Sequence, residues 1–248
     1  MRRERVELVL PGHDHGLDVI TYGHGGRPVL VFPSEAGRAR DFEGMGMLAA
    51  VADLVESGRV TLHCVDSMDG YTWSDETAPI EERAKRHRLY TRWLIEEVVP
   101  YMTDAGGADV EPLAIGCSLG AYHAVHFALQ RADLVPSAIG LSGNYDMSTW
   151  HAWGERGEES DRADPAYYVP GLCGEHLTWL RERLTLLLVC GRGDWETHPT
   201  GSLPSSQAMA AMLQEKGIHC ELDLWGSDVS HDWPWWARQL AHHLPRFC

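Results

Sequence analysis

The chain has 248 residues, 44% of them hydrophobic, and a formal net charge of −15 at pH 7. That length suits one large α/β domain over residues 1–248, able to bury its core without staples or metals, while the acidic balance disfavours nucleic acid and anionic membrane surfaces as partners. No apolar run nears the roughly 20 residues that span a bilayer, and the basic start MRRERVELVL has too short an apolar stretch for a secretory signal, so the expected location is cytoplasmic.

In chain order, Val6–Leu10 and Leu17–Tyr22 read as strands joined by a turn-rich Pro11–Gly16, a hairpin. Val29–Phe32 is a short continuous apolar run, as expected for a strand buried on both faces. A helix over Met47–Glu56 leads to a strand at Val60–Val65. Glu81–Tyr101 has the clearest helical period, with Tyr90, Leu94, Val98 and Tyr101 on one face, and Pro100 is expected to end or bend it. A strand at Pro112–Gly116, a helix at Gly120–Gln130 and a strand at Ser137–Ser142 follow. Residues 144–182 are rich in Trp, Tyr, Asp and Gly and lack a sustained period, which reads as a lid-like insertion over one sheet end. Regular alternation then returns with a strand at Leu184–Cys190, a helix at Ser205–Lys216, a strand at Glu221–Trp225 and a last helix after Pro234. The pattern implies an α/β fold with a mostly parallel sheet of about eight strands, covered by helices on both faces.

Gly116-Cys117-Ser118-Leu119-Gly120 matches G-x-S-x-G. Alone that pattern arises by chance in roughly one in seven such chains. Its setting, after an apolar strand and before a helix, is that of a nucleophile elbow, where small residues let a strained serine stand clear. A serine hydroxyl needs a base to take its proton and a carboxylate to orient that base. In α/β-hydrolases these follow in the order Ser, acid, His. His231 lies in the loop after the last predicted strand, and the loop after the preceding strand offers Asp194 and Glu196. The choice of acid between these two stays open on the residues alone. The expected oxyanion donors are the backbone N–H of Leu119 and one from the loop Pro33–Gly37, supplied by Glu35 or Ala36.

Other histidine pairs (His13/His15, His123/His126, His242/His243) lack the carboxylate or thiolate partners of a metal site. The six cysteines stand singly and read as reduced. No metal and no cofactor is expected. Among ten tryptophans, Trp73, Trp150, Trp153 and Trp195 fall near predicted sheet-end loops, and Ser34, Trp73 and Trp195 are taken as candidate pocket residues.

Several stretches carry a resemblance: Val31-Phe32-Pro33-Ser34, Cys64-Val65-Asp66-Ser67, Arg86-His87-Arg88-Leu89-Tyr90, Gly116–His123, Leu141-Ser142-Gly143 and Trp225–Trp236. Together they resemble the putative-esterase branch of the α/β-hydrolases, with its esterase D-like enzymes and mycolyltransferases. The resemblance covers most of the chain from about Val29. It implies Ser118 and His231 as catalytic and no cofactor; the Gly-x-Gly-x-Trp-Glu form of the loop adds weight to Glu196, while esterase D itself favours the Asp194 position, so the resemblance leaves the acid open. The expected activity is carboxylic ester hydrolysis on a small-molecule ester or acyl substrate. Acyl transfer by the same acyl-enzyme is the alternative, a non-catalytic binding protein is a third reading, and a homo-oligomer stays open.

Overall fold

The structure is a computed structural model and describes residues 1–106 and 110–248. Eight strands form one sheet: β1 (Arg3–Val9), β2 (Gly16–Tyr22), β3 (Arg27–Phe32), β4 (Val60–Val65), β5 (Leu113–Cys117), β6 (Ser137–Leu141), β7 (Thr185–Cys190) and β8 (His219–Leu224). Their order across the sheet is β1-β2-β4-β3-β5-β6-β7-β8. β1 pairs antiparallel with β2 and β2 with β4; from β4 to β8 every pairing is parallel.

The central strands are apolar throughout because both of their faces are covered. Side chains alternate between faces along a strand. Leu30 and Phe32 therefore join one core cluster, with Ala114, Leu186 and Leu188, while Val29 and Val31 join another, with Leu113, Ile115, Leu187 and Val189. Helices Ile80–Trp93 and Leu119–Gln130 cover the first face through Tyr90, Trp93, Tyr122 and Phe127. Met47, Val55, Trp236 and Leu240 cover the second.

Chain order reverses at β3, which lies between β4 and β5. The loops leaving β3 and β5 therefore diverge to opposite sides of the sheet and open a crevice between them, the place where ligands bind in open α/β sheets.

Two elements differ from the sequence reading. Pro100 does not end its helix: Ile80–Trp93 passes through a π-helical segment, Leu94–Val98, into Val99–Gly106. The wider π turn accommodates a residue that has no N–H and whose ring would crowd the carbonyl four residues back. The helix over 47–56 is broken at Val51 (φ −123°) into Met47–Ala50 and Ala52–Glu56. There the branched side chain is buried in the core. Residues 144–182, expected as a lid-like insertion, contain the short helices Glu158–Arg162, Pro165–Tyr168 and Gly174–Arg183, too brief to give a sustained period.

All six cysteines are free thiols. Among the described residues, no helix is long and apolar enough to cross a membrane.

Candidate active site

Ser118 occupies the turn between β5 and the helix Leu119–Gln130 with φ 56° and ψ −124°. For a residue with a side chain this costs on the order of 1–3 kcal/mol. The turn is held by Ser118 N–H to Leu141 O (2.9 Å) and Ala121 N–H to Ser118 O (3.0 Å). Its two glycines are needed for room. A Cβ on Gly116 would stand 2.1 Å from Gly120 O, and one on Gly120 would stand 2.1 Å from Pro33 O.

The loops after β7 and β8 interlock. Gly193 N–H donates to Val229 O (2.8 Å), Arg192 N–H to Gly226 O (3.1 Å) and His231 N–H to Asp194 O (3.0 Å). This lacing brings His231 between two partners. Its Nε2 is 3.0 Å from Ser118 Oγ and its Nδ1 is 3.1 Å from Glu196 Oε2. The ring packs edge-on against Trp236 at 4.8 Å, which limits its rotation.

Glu196 is fully buried. Its Oε1 accepts from Ser142 Oγ (2.6 Å) and Gly191 N–H (3.2 Å), and its Oε2 lies 3.4 Å from Cys190 Sγ. Burial alone would push this carboxyl up, but the hydrogen bonds from His231 and Ser142 outweigh it and hold Glu196 below the ordinary glutamate value. Ser142 is itself fixed, in a left-handed conformation (φ 52°) just past β6, and accepts from Trp236 Nε1 (3.0 Å). Sequence reasoning missed its part; the signal was its place after a strand on the same sheet edge.

Of the two carboxylates left open in the sequence, Glu196 is the one within hydrogen-bonding distance of the His231 ring. The Asp194 side chain is exposed, and what this residue offers His231 is its backbone carbonyl. A residue two positions earlier lies on the outside of the loop, whereas Glu196 turns under it.

The remaining candidates divide. Leu119 N–H and Glu35 N–H have no hydrogen-bond acceptor among the described residues, whereas Ala36 N–H is taken by Asp69 Oδ2 at 3.0 Å. Ala36 is therefore corrected as a donor to the site. The Glu35 carboxylate is exposed and accepts from Ser74 Oγ (2.6 Å). Ser34 is half-buried at the head of the same loop. Trp195 is 64% exposed on the rim. Trp73 is a correction: it is a core residue, 1% exposed, wedged against His87 and Tyr122 rather than lining a pocket. A cavity of about 620 Å³ adjoins Ala36, walled by Leu10, Leu17, Met68 and Tyr71. Among the described residues no three His, Cys, Asp or Glu side chains are grouped to hold a metal ion.

The model of the family described as Putative esterase matches residues 2–247. The chain belongs to the Esterase family. It is accordingly a carboxylic ester hydrolase with the α/β-hydrolase fold. No curated protein matches this esterase by sequence. Among solved structures, a ferulic acid esterase superposes with a TM-score of 0.75 at 13% identity, covering 99% of this chain and 96% of that one. The MPT51 protein of Mycobacterium tuberculosis gives 0.74 at 15% identity, over 99% and 97%. The S-formylglutathione hydrolase FrmB of Staphylococcus aureus gives 0.67 at 12% identity, over 99% and 96%. At such identities these likenesses speak for the fold alone.

Proposed function

We propose that this esterase works through an acyl-enzyme on Ser118. The observation that carries the reading is the unbroken hydrogen-bonded line from Ser118 Oγ through His231 to the buried Glu196. His231 Nε2 takes the hydroxyl proton as Oγ attacks the ester carbonyl, then returns it to the departing alcohol. Glu196 holds the Nδ1–H tautomer and stabilises the imidazolium as it forms. Leu119 N–H and Glu35 N–H, without acceptors among the described residues, receive the negative charge of the tetrahedral intermediate. Water activated by His231 then attacks the acyl-serine, releasing the acid and restoring the hydroxyl. The substrate is a small-molecule carboxylic ester.

Ser118→Ala tests the reading. It is expected to lose labelling by a fluorophosphonate and to lower the hydrolysis of p-nitrophenyl acetate at least about 1,000-fold. Retention of either in a folded variant would refute it.

A further inference from the structure

Three stretches singled out in the sequence take no part in the line from Ser118 to Glu196: Cys64–Ser67, with Asp69 two residues beyond it, the one around His87, and the end of the block closing on His123. In the fold they converge inside the core. Asp69, the first residue of a 3-10 turn over Asp69–Tyr71, is 1% exposed. Its Oδ2 accepts Ala36 N–H at 3.0 Å and its Oδ1 lies 2.8 Å from His123 Nε2. His123 Nδ1 in turn lies 3.3 Å from His87 Nε2. Phe32 and His87 stack on the His123 ring at 5.7 and 5.3 Å. Among the described residues no arginine or lysine pairs with Asp69.

A carboxylate withdrawn from water costs several kcal/mol unless its partners answer it. An apolar side chain would fill the same space without that cost, so the elements this carboxylate joins are informative. Ala36 has φ 52°, a left-handed conformation unfavourable for alanine. Gly37 N–H bonds to Ser34 O at 3.0 Å, so residues 34–37 form a tight turn with its third residue left-handed, as in type II. In the type I turn that alanine would otherwise favour, the Glu35–Ala36 peptide is turned over. The Ala36 N–H would then leave Asp69, and the Glu35 carbonyl would face the carboxylate. Asp69 therefore selects the conformation of the loop that carries Glu35 N–H. Its other partner, His123, stands four residues after Leu119 on the same helix.

Resting on the Ser118 reading, we infer that Asp69 and His123 are positioning residues, a buried brace that holds the loop donor (Glu35 N–H) at a fixed spacing from the helix donor (Leu119 N–H). Neither touches the substrate. The brace acts because misplacing a group by about 1 Å can cost 100-fold in rate, and only donors already in place stabilise the transition state at no cost in reorganisation.

The test uses Asp69→Asn, His123→Leu and the conservative His123→Gln, whose amide N–H can still reach Asp69. Rates on p-nitrophenyl acetate are expressed per fluorophosphonate-titrated site, so that unfolded protein is not counted. Asp69→Asn and His123→Leu are expected to lower kcat about 10- to 100-fold with KM changed less than about 3-fold, as for loss of an interaction made in the transition state. Affinity for a trifluoromethyl ketone, whose adduct places an oxygen where the oxyanion forms, should fall in parallel, and His123→Gln should recover most of both. If Asp69→Asn does not fold, the two His123 variants carry the comparison alone. Folded variants with kcat per site within about 2-fold of the parent, or with reduced kcat but unchanged ketone affinity, would overturn the brace. An unlabelled, inactive parent would instead overturn the Ser118 reading, and the brace with it.

Discussion

Two carboxylates two residues apart, Asp194 and Glu196, differ in everything that matters for orienting an imidazole. Glu196 is buried and bonded to His231, Ser142 and Gly191, whereas the Asp194 side chain faces solvent. Glu196→Gln is expected to lower kcat about 10,000-fold, since an amide favours the wrong imidazole tautomer. Asp194→Asn should leave kcat within about 3-fold, because its backbone carbonyl still receives His231 N–H; steady-state kinetics on an activated ester separates the two. Ser142→Ala removes a hydrogen bond that helps hold the Glu196 carboxyl low. The carboxylate is then less firmly held against His231, so kcat on the same ester should fall about 10-fold. A kcat within about 2-fold of the parent would contradict this account. Ser118 was readable as a candidate because it directly follows an apolar strand, and His231 because it lies in the loop between the last strand and the last helix. The choice of Glu196 was not, since two adjacent loop carboxylates are distinguished only by which one folds inward.

The strand–turn–helix unit at Ser118 works only if three backbone segments close to van der Waals distance. Gly116→Ala or Gly120→Ala would drive a methyl into Gly120 O or Pro33 O, and neither obstacle is a flexible side-chain end. Each is expected to cost about 3 kcal/mol or more, read as a lower urea midpoint. A midpoint within error of the parent would show that the turn relaxes more easily than its geometry implies. At this scale the sequence spoke clearly where period and composition agreed: all eight strands stand within a few residues of their expected positions. It spoke less clearly where two signals competed. Pro100 reads as a terminator only if the helix ahead of it is strictly α, and the π segment Leu94–Val98 removes that premise. Trp73 reads as a pocket residue by its place near a sheet end, yet the helix Ile80–Trp93 covers it, and no local pattern reports such long-range cover.

Over the whole molecule the most unusual energetic feature is buried histidine. His63 is held neutral by burial, its pKa lowered to about 4. His126 is lowered to about 3, first by burial and then by the neighbouring His123. His87 is pushed down for the same reasons. Unfolded, each takes up a proton near pH 6.5. The unfolded chain therefore binds more protons between about pH 6.5 and 4, and stability falls as pH drops through that window. A gap from 6.5 to about 4 amounts to about 3 kcal/mol for His63 alone. Glu196, held low in the fold, adds to the same trend at a lower pH: its contribution is present above the unfolded glutamate value and is lost as pH falls through the folded one. Urea midpoints should therefore decline steeply from about pH 7 to about pH 5, before ordinary carboxylates titrate. A flat curve over that range would contradict burial of neutral imidazoles as the cause. The fold class was open to reading at this scale, because alternating strands and helices admit few architectures. The histidines were not, since a lone His in an apolar stretch carries no mark of whether it is charged.

Ser118 and His231, the base proposed to activate it, are 113 positions apart in the chain. At a synthesis rate of about 5–20 residues per second, His231 is joined to the polypeptide roughly 6 to 23 seconds after Ser118. Until the loop after β8 has been made and laced to the loop after β7, the serine lacks both its proposed base and the carboxylate proposed to orient it. On the proposed mechanism a growing chain is thus chemically quiet toward the esters around it, and reactivity arrives only with the closing of the sheet.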